Sequence, residues 1–186
     1  VAGTTQQFTA LASYDDGSGP GLVASVAFNL PGEYFERIMR WDGASWTQLG
    51  GDFPHVFPYH NSPNVSDMAA FDDGSGPALY AGGSFTTAGG VAASNVARWD
   101  GSSWASLGSG TNGGVGTLIV FDDGSGPALY AGGNFIFAGG VEVRRIAKWN
   151  GASWSALGSG TQKGVNEYVH ALQVFDDGSG PALYVG

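Results

Sequence analysis

The chain has 186 residues, of which 33 are Gly, 6 are Trp and none is Cys. With 7 Lys plus Arg against 16 Asp plus Glu, its net charge is −9, which argues against nucleic acid or anionic lipid as a charge-driven partner. The missing cysteines exclude disulfides and thiolate metal sites, the aromatic content of 13% argues against disorder, and no apolar run reaches the roughly 18 residues of a spanning helix.

Taken in chain order, the sequence repeats itself. The triplet Asp-Asp-Gly begins at Asp15, Asp72, Asp122 and Asp176, and "FDDGSGPALYAGG" occupies both 71–83 and 121–133. Aligning 67–116 with 117–166 gives 30 identities in 50 positions. Each copy predicts four short strands separated by turn residues. The first is apolar ("MAAF", "LIVF", "ALQVF"), and the second is "PALYAGG" followed by Ser or Asn and Phe. The third is "NVARW" or "RIAKW", and the fourth is "SWASLG" or "SWSALG". No segment repeats apolar residues at helical spacing over three turns, so no helix is expected.

The turn between third and fourth strands holds all six tryptophans: "WDGASW" at 41–46, "WDGSSW" at 99–104 and "WNGASW" at 149–154. A hairpin loop at Gly101-Ser102 makes Trp99 and Trp104 cross-strand partners, with Gly supplying positive φ at the first loop position. The same holds for Trp41 with Trp46 and Trp149 with Trp154. Between first and second strands, "DDGSG" is a turn, and the proline after it sits where a strand's first residue needs no N–H.

Four antiparallel strands every fifty residues describe a β-propeller blade. The Gly doublets Gly82-Gly83 and Gly132-Gly133, followed by Trp99-Asp100, Trp104 and Leu107, or Trp149-Asn150, Trp154 and Leu157, resemble the kelch repeat. They are similar above all to the repeats of fungal cell-polarity marker propellers and of bacterial secreted kelch-like proteins. The resemblance implies an all-β chain of about three and a half blades: blade 1 over about 7–66, blade 2 over 67–116, blade 3 over 117–170 and a half blade over 171–186. Blade 1 departs from the pattern, with "VASVAF" in place of the Gly doublet. Three and a half blades cannot close a ring, so the expectation is further blades in a longer chain or self-association.

Propeller topology places the second-to-third and fourth-to-first loops on one face, and the segments that differ between copies fall there. Candidate ligand contacts are therefore His55, Tyr59, His60 and Asn61 in the long 50–66 loop, together with Arg144, Arg145, Glu167 and Tyr168. His55 and His60 with Asp52 are also the place to look for a metal, although a proline-rich exposed loop explains them as well. Glu33 and Glu36 carry no supporting constellation for glycoside hydrolysis. The pairs Asp72-Asp73 and Asp122-Asp123 could offer carboxylates to Ca²⁺, but "DDGSG" is too short to supply six ligands, and a hairpin turn is the simpler reading. Arg40, Arg98 and Lys148, each preceding a third-strand Trp, are expected to pair with a neighbouring Asp or to snorkel to an edge, with a repeated ligand contact as the alternative.

No nucleophile, phosphate-loop or zinc-helix motif appears. The expectation is a non-enzymatic, cofactor-free binding or scaffold module, extracellular or at the cell surface, with a protein or glycan ligand. The alternative is a lectin-like or glycan-processing propeller.

Overall fold

The structure, a computed structural model, describes residues 5–30, 33–54, 65–158 and 163–186. It is all-β, with every strand pairing antiparallel. The first sheet contains β1 (Thr5–Asp15), β2 (Pro20–Leu30), β3 (Glu33–Trp41) and β4 (Trp46–Gln48), with β5 (Phe53–Pro54) paired to β3. The second is formed by β6 (Val65–Asp72), β7 (Pro77–Gly83), β10 (Val96–Trp99) and β11 (Trp104–Ser106). Between β7 and β10 lies a small hairpin, β8 (Thr87–Ala88) with β9 (Val91–Ala92). The third repeats it as β12 (Val115–Asp122), β13 (Pro127–Gly133), β16 (Ile146–Trp149) and β17 (Trp154–Ala156), with β14 (Phe137–Ala138) and β15 (Val141–Glu142) as the small hairpin. Last comes the two-stranded β18 (Leu172–Asp176) with β19 (Pro181–Val185). Among the described residues no sheet closes on itself.

Prolines 20, 77, 127 and 181 each open a strand, where the missing N–H costs no ladder bond. In the turns before them, Asp72 Oδ1 accepts the N–H groups of Gly74 (2.9 Å) and Gly76 (3.0 Å), and Asp122 Oδ1 does the same for Gly124 and Gly126. The tryptophan turns behave alike. Trp41 pairs with Trp46, Trp99 with Trp104 and Trp149 with Trp154, and Gly43, Gly101 and Gly151 sit at φ near +97°. Asp100 Oδ1 accepts the Ser102 and Ser103 N–H groups at 2.8 Å, taking the bond a backbone carbonyl would accept in a simple two-residue turn.

The sheets stack face to face in chain order, and each interface is one apolar cluster. Tyr14, Val23, Ile38 and Leu49 meet Met68, Leu79, Trp99 and Trp104 between the first two sheets. Phe71, Tyr80 and Leu107 meet Leu118, Leu129, Trp149 and Trp154 between the next two. Tyr130 and Ile146 meet Val169 and Leu172 beneath β18 and β19. The second strands β7 and β13 are buried on both faces beyond their first proline, which explains why "ALYAGG" lacks the alternation of a half-exposed strand.

The glycine doublets serve this stacking. A Cβ on Gly82 would stand 2.6 Å from Val115 Cγ1, and one on Gly132 would stand 2.4 Å from Val169 Cγ1. Each glycine is thus a hollow for a valine at the entry to the next sheet: Val115 opens β12, and Val169 lies three residues before β18.

The Trp41–Trp46 pair also forms, with centroids 5.5 Å apart, but Trp46 is 37% exposed where Trp104 and Trp154 are 4%. Its ring meets Phe8 of its own sheet at 6.2 Å, and among the described residues no second sheet lies over it. The segment 84–95, between the second and third strands, contributes Phe85, Ala88 and Ala93 to the core.

Candidate ligand-binding site

The residues singled out for ligand contact divide by place. His55, Tyr59, His60 and Asn61 lie outside the described residues. Asp52, grouped with them as a possible metal ligand, is engaged elsewhere. Its Oδ1 accepts from Arg37 Nε at 2.8 Å and from Gln48 Nε2 at 2.9 Å, and the Arg37 bond holds its carboxyl below the usual range. Glu36 is fully buried and accepts the Ser25 hydroxyl (2.8 Å) and the Val65 N–H (2.9 Å), a structural use that joins β2, β3 and β6.

The Asp pairs are used by their own turns. Asp73 Oδ1 takes the Ser75 N–H and hydroxyl, while Oδ2 takes the Tyr80 hydroxyl at 2.7 Å and faces Arg98 at 3.4 Å. Asp123 repeats this with Ser125, Tyr130 (2.9 Å) and Lys148 (2.7 Å), and Asp16 pairs with Arg40 at 3.3 Å. The expected pairing of Arg40, Arg98 and Lys148 with neighbouring aspartates therefore holds in all three sheets. Among the described residues no group of three or more His, Asp or Glu side chains is placed to hold a metal ion.

Arg144, Arg145 and Tyr168 do come together. Arg144 and Arg145 form the turn from β15 to β16 at φ of 46° and 73°, left-handed values that are unfavourable for a long side chain. The matching position in the second sheet is Asn95, at φ 65°, a residue that adopts this conformation readily. Arg144 Nε donates to Glu142 Oε1 at 3.0 Å, and Lys163 Nζ stands 3.5 Å from Glu142 Oε2. The Arg144 bond, with both cations nearby, holds the Glu142 carboxyl below its ordinary value.

Arg145 reaches across to the next connection. Its Nε donates to the Asn166 carbonyl at 3.2 Å, its Nη1 donates to Asn134 Oδ1, and its guanidinium lies 5.7 Å from the Tyr168 ring centre. Tyr168 stacks on His170 with centroids 5.3 Å apart and planes 16° apart, and it stays 49% exposed. Glycine is required at 164, because a Cβ there would stand 2.3 Å from the Val143 and Arg144 carbonyl oxygens. The Arg144 carbonyl accepts the Val165 N–H at 3.1 Å, which fixes the two connections together.

The result is a surface patch: Arg145 held over an exposed tyrosine, His170 stacked on the same ring, and two solvent-facing apolar side chains, Ile136 (46%) and Phe137 (43%), on the adjoining hairpin. Ile136 joins the patch through backbone bonds from Val143 and Arg144. Glu167 lies exposed on the same connection. Ile136 and His170 could not be read as members from the sequence, since neither differs in kind from ordinary loop residues.

The chain matches no protein-family model, no curated protein and no solved structure.

Proposed function

We propose that the three sheets and the final hairpin are blades of a β-propeller, and that the chain is a non-enzymatic binding or scaffold module with a protein ligand. The propeller reading is supported by four-stranded antiparallel sheets that recur every fifty residues and stack face to face, with β1, β6, β12 and β18 each lying against the next. The ligand reading rests on the patch at Arg145 and Tyr168. Arginine and tyrosine over exposed aliphatic and aromatic side chains is the composition that protein interfaces favour. The strained turn that presents Arg144 and Arg145 points the same way, since residues held at unfavourable φ concentrate at functional sites.

A second reading is a lectin-like module. Tyr168 is half-exposed and has the exposed polar residues Asn166 and Glu167 beside it on the same connection, groups able to bind sugar hydroxyls at the part of the ring that Arg145 and His170 leave uncovered. One experiment separates them. The chain and an Arg145→Asn/Tyr168→Ala variant are applied to a protein array and to a glycan array. Protein signals lost in the variant support the first reading and glycan signals lost in the variant support the second. Signals unaffected by the variant place the site elsewhere.

A further inference from the structure

The small hairpins β8–β9 and β14–β15 are counterparts, and they differ where they face solvent. Residues 71–83 and 121–133 are identical, whereas "SFTTAGGVAASN" at 84–95 becomes "NFIFAGGVEVRR" at 134–145. Thr86 and Thr87 give way to Ile136 and Phe137, and Ser94 and Asn95 to Arg144 and Arg145. The buried positions stay apolar: Phe85, Ala88 and Ala93 match Phe135, Ala138 and Val143. Core packing therefore asks for none of the four exchanges. Nor does the exposure depend on which sheets flank the hairpin. β8–β9 belongs to a sheet covered on both sides, and Thr86 and Val91 still face solvent there, at the places of Ile136 and Val141, while Thr87 is half-buried.

The charge of the patch is also out of keeping with the chain. Of the 7 Lys and Arg side chains in a molecule of net charge −9, all but Arg145 stand within ion-pair distance of an aspartate or glutamate, Arg144 and Lys163 sharing Glu142. Arg145 has no carboxylate at that distance among the described residues, Glu167 on the facing connection included. Its guanidinium carries five N–H groups. Nε donates one to the Asn166 carbonyl and Nη1 one to Asn134 Oδ1, and among the described residues nothing accepts from Nη2. Nη1 and Nη2 can therefore receive a carboxylate end-on, two oxygens against two nitrogens.

We infer, resting on the protein-ligand reading above, that the patch takes an acidic, apolar segment of a partner protein, with an Asp or Glu carboxylate on Arg145 and a large apolar side chain next to it on Ile136 and Phe137. The cation without a carboxylate selects the anion, and the exposed aliphatic and aromatic surface selects its apolar neighbour. A basic segment would meet Arg144, Arg145 and Lys163 as like charges. A purely apolar segment would leave Arg145 without an anion. The negative charge of the rest of the chain opposes an acidic ligand only weakly, because it is screened beyond roughly 8 Å at physiological salt.

The probe is a displayed library of random peptides of about a dozen residues, selected on the 186-residue chain. Enriched peptides should carry Asp or Glu next to a large apolar residue. They are then titrated into the chain and into two variants, Arg145→Asn and Ile136→Thr/Phe137→Thr, each of which installs the residues the second hairpin already folds with. Each variant should bind about tenfold more weakly, with its melt little changed. Replacing the peptide's carboxylate by its amide should cost the same tenfold on the natural chain and nothing further on Arg145→Asn. The amide peptides test the carboxylate on the unaltered chain, so this arm stands even if a variant misfolds. Neutral or basic peptides that depend on Ile136 and Phe137 overturn the acidic-segment inference and leave the protein-ligand reading standing. Peptides indifferent to both variants overturn the two together. A selection that enriches nothing also overturns the inference, and the protein array then decides the broader reading alone.

Discussion

The indole Nε1 of Trp154 donates to the backbone carbonyl of Leu107, 3.0 Å away, tying the fourth strand of the third sheet to the end of the fourth strand of the second. Trp104 makes the same bond to Leu49 at 3.3 Å, one sheet earlier. Both indoles are seated by glycines: a Cβ on Gly50 or Gly89 would stand 2.6 Å from Trp104 Cδ1, and one on Gly139 would stand 2.8 Å from Trp154 Cδ1. In the second and third sheets the second Trp of the turn is thus a link between sheets as well as a partner of the first.

Replacing Trp104 with Ala is expected to cost about 3–5 kcal/mol, the range for a truncated buried aromatic. Trp46→Ala should cost much less, about 1 kcal/mol, because its ring is 37% exposed and no second sheet lies over it among the described residues. Urea unfolding of the two variants checks the contrast. Equal losses would show that the tryptophans act only within their own hairpins.

Gly132→Ala should destabilise by about 1–3 kcal/mol through overpacking, since the added methyl meets Val169 Cγ1 and Thr117 Cγ2. Its backbone is not left-handed, so the effect is steric and a second change can relieve it. Val169→Ala in the same chain is expected to recover much of the loss, although Val169→Ala alone is destabilising. A double-mutant cycle with additive terms would contradict the hollow-and-knob contact.

Acid should weaken the fold over a defined range. Lys148, bonded to Asp123, holds that carboxyl well below its ordinary value, and the Ser103 and Ser102 N–H groups with the Ser102 hydroxyl hold Asp100 at about 2. Both values are lower in the folded chain than the roughly 3.9 of an unfolded one, so the stability they contribute is present above about pH 4 and is lost as pH falls through the folded values. The urea midpoint should be flat from about pH 7 to 5 and decline below about 4. In a Lys148→Gln chain Asp123 titrates closer to its unfolded value, so the decline should be shallower. Parallel curves for the two chains would contradict the assignment.

Arg145→Asn replaces a strained side chain with the residue that occupies the matching position, Asn95. The relief of backbone strain offsets the lost bonds to Asn134 and Asn166, and the melt should move by less than about 1 kcal/mol in free-energy terms. Ligand capture, by contrast, should fall away. A large loss of stability would instead make Arg145 a structural clamp.

Local chemistry was legible in the sequence. The tryptophan turns, the proline strand starts and the pairing of Arg40, Arg98 and Lys148 with aspartates all follow from turn rules and from the need to neutralise a cation between packed sheets. What could not be read depends on neighbours in space. The β8–β9 and β14–β15 hairpins are two-residue strands around a Gly pair, too short to show a period, and their burial comes from contact with other units. That Gly82 and Gly132 are hollows for valines thirty-odd residues later, or that Glu36 is buried as an acceptor for Val65, leaves no mark on the residues themselves. The Arg145–Tyr168 contact was half legible: both residues stood out, but only the folded connections bring them face to face.

The face-to-face packing of the sheets makes cohesion a property of neighbours. The second sheet is covered on both sides, whereas Leu11, Leu22 and Trp46 of the first face solvent at positions whose counterparts Met68, Leu79 and Trp104 are buried. Heat or denaturant should therefore fray this array from its flanks inward, with amides in β7 and β13 the last to exchange and those in β1 and β19 among the first. The molecule would melt like a short zipper rather than a sphere, and its overall stability should scale with how many of its faces are covered.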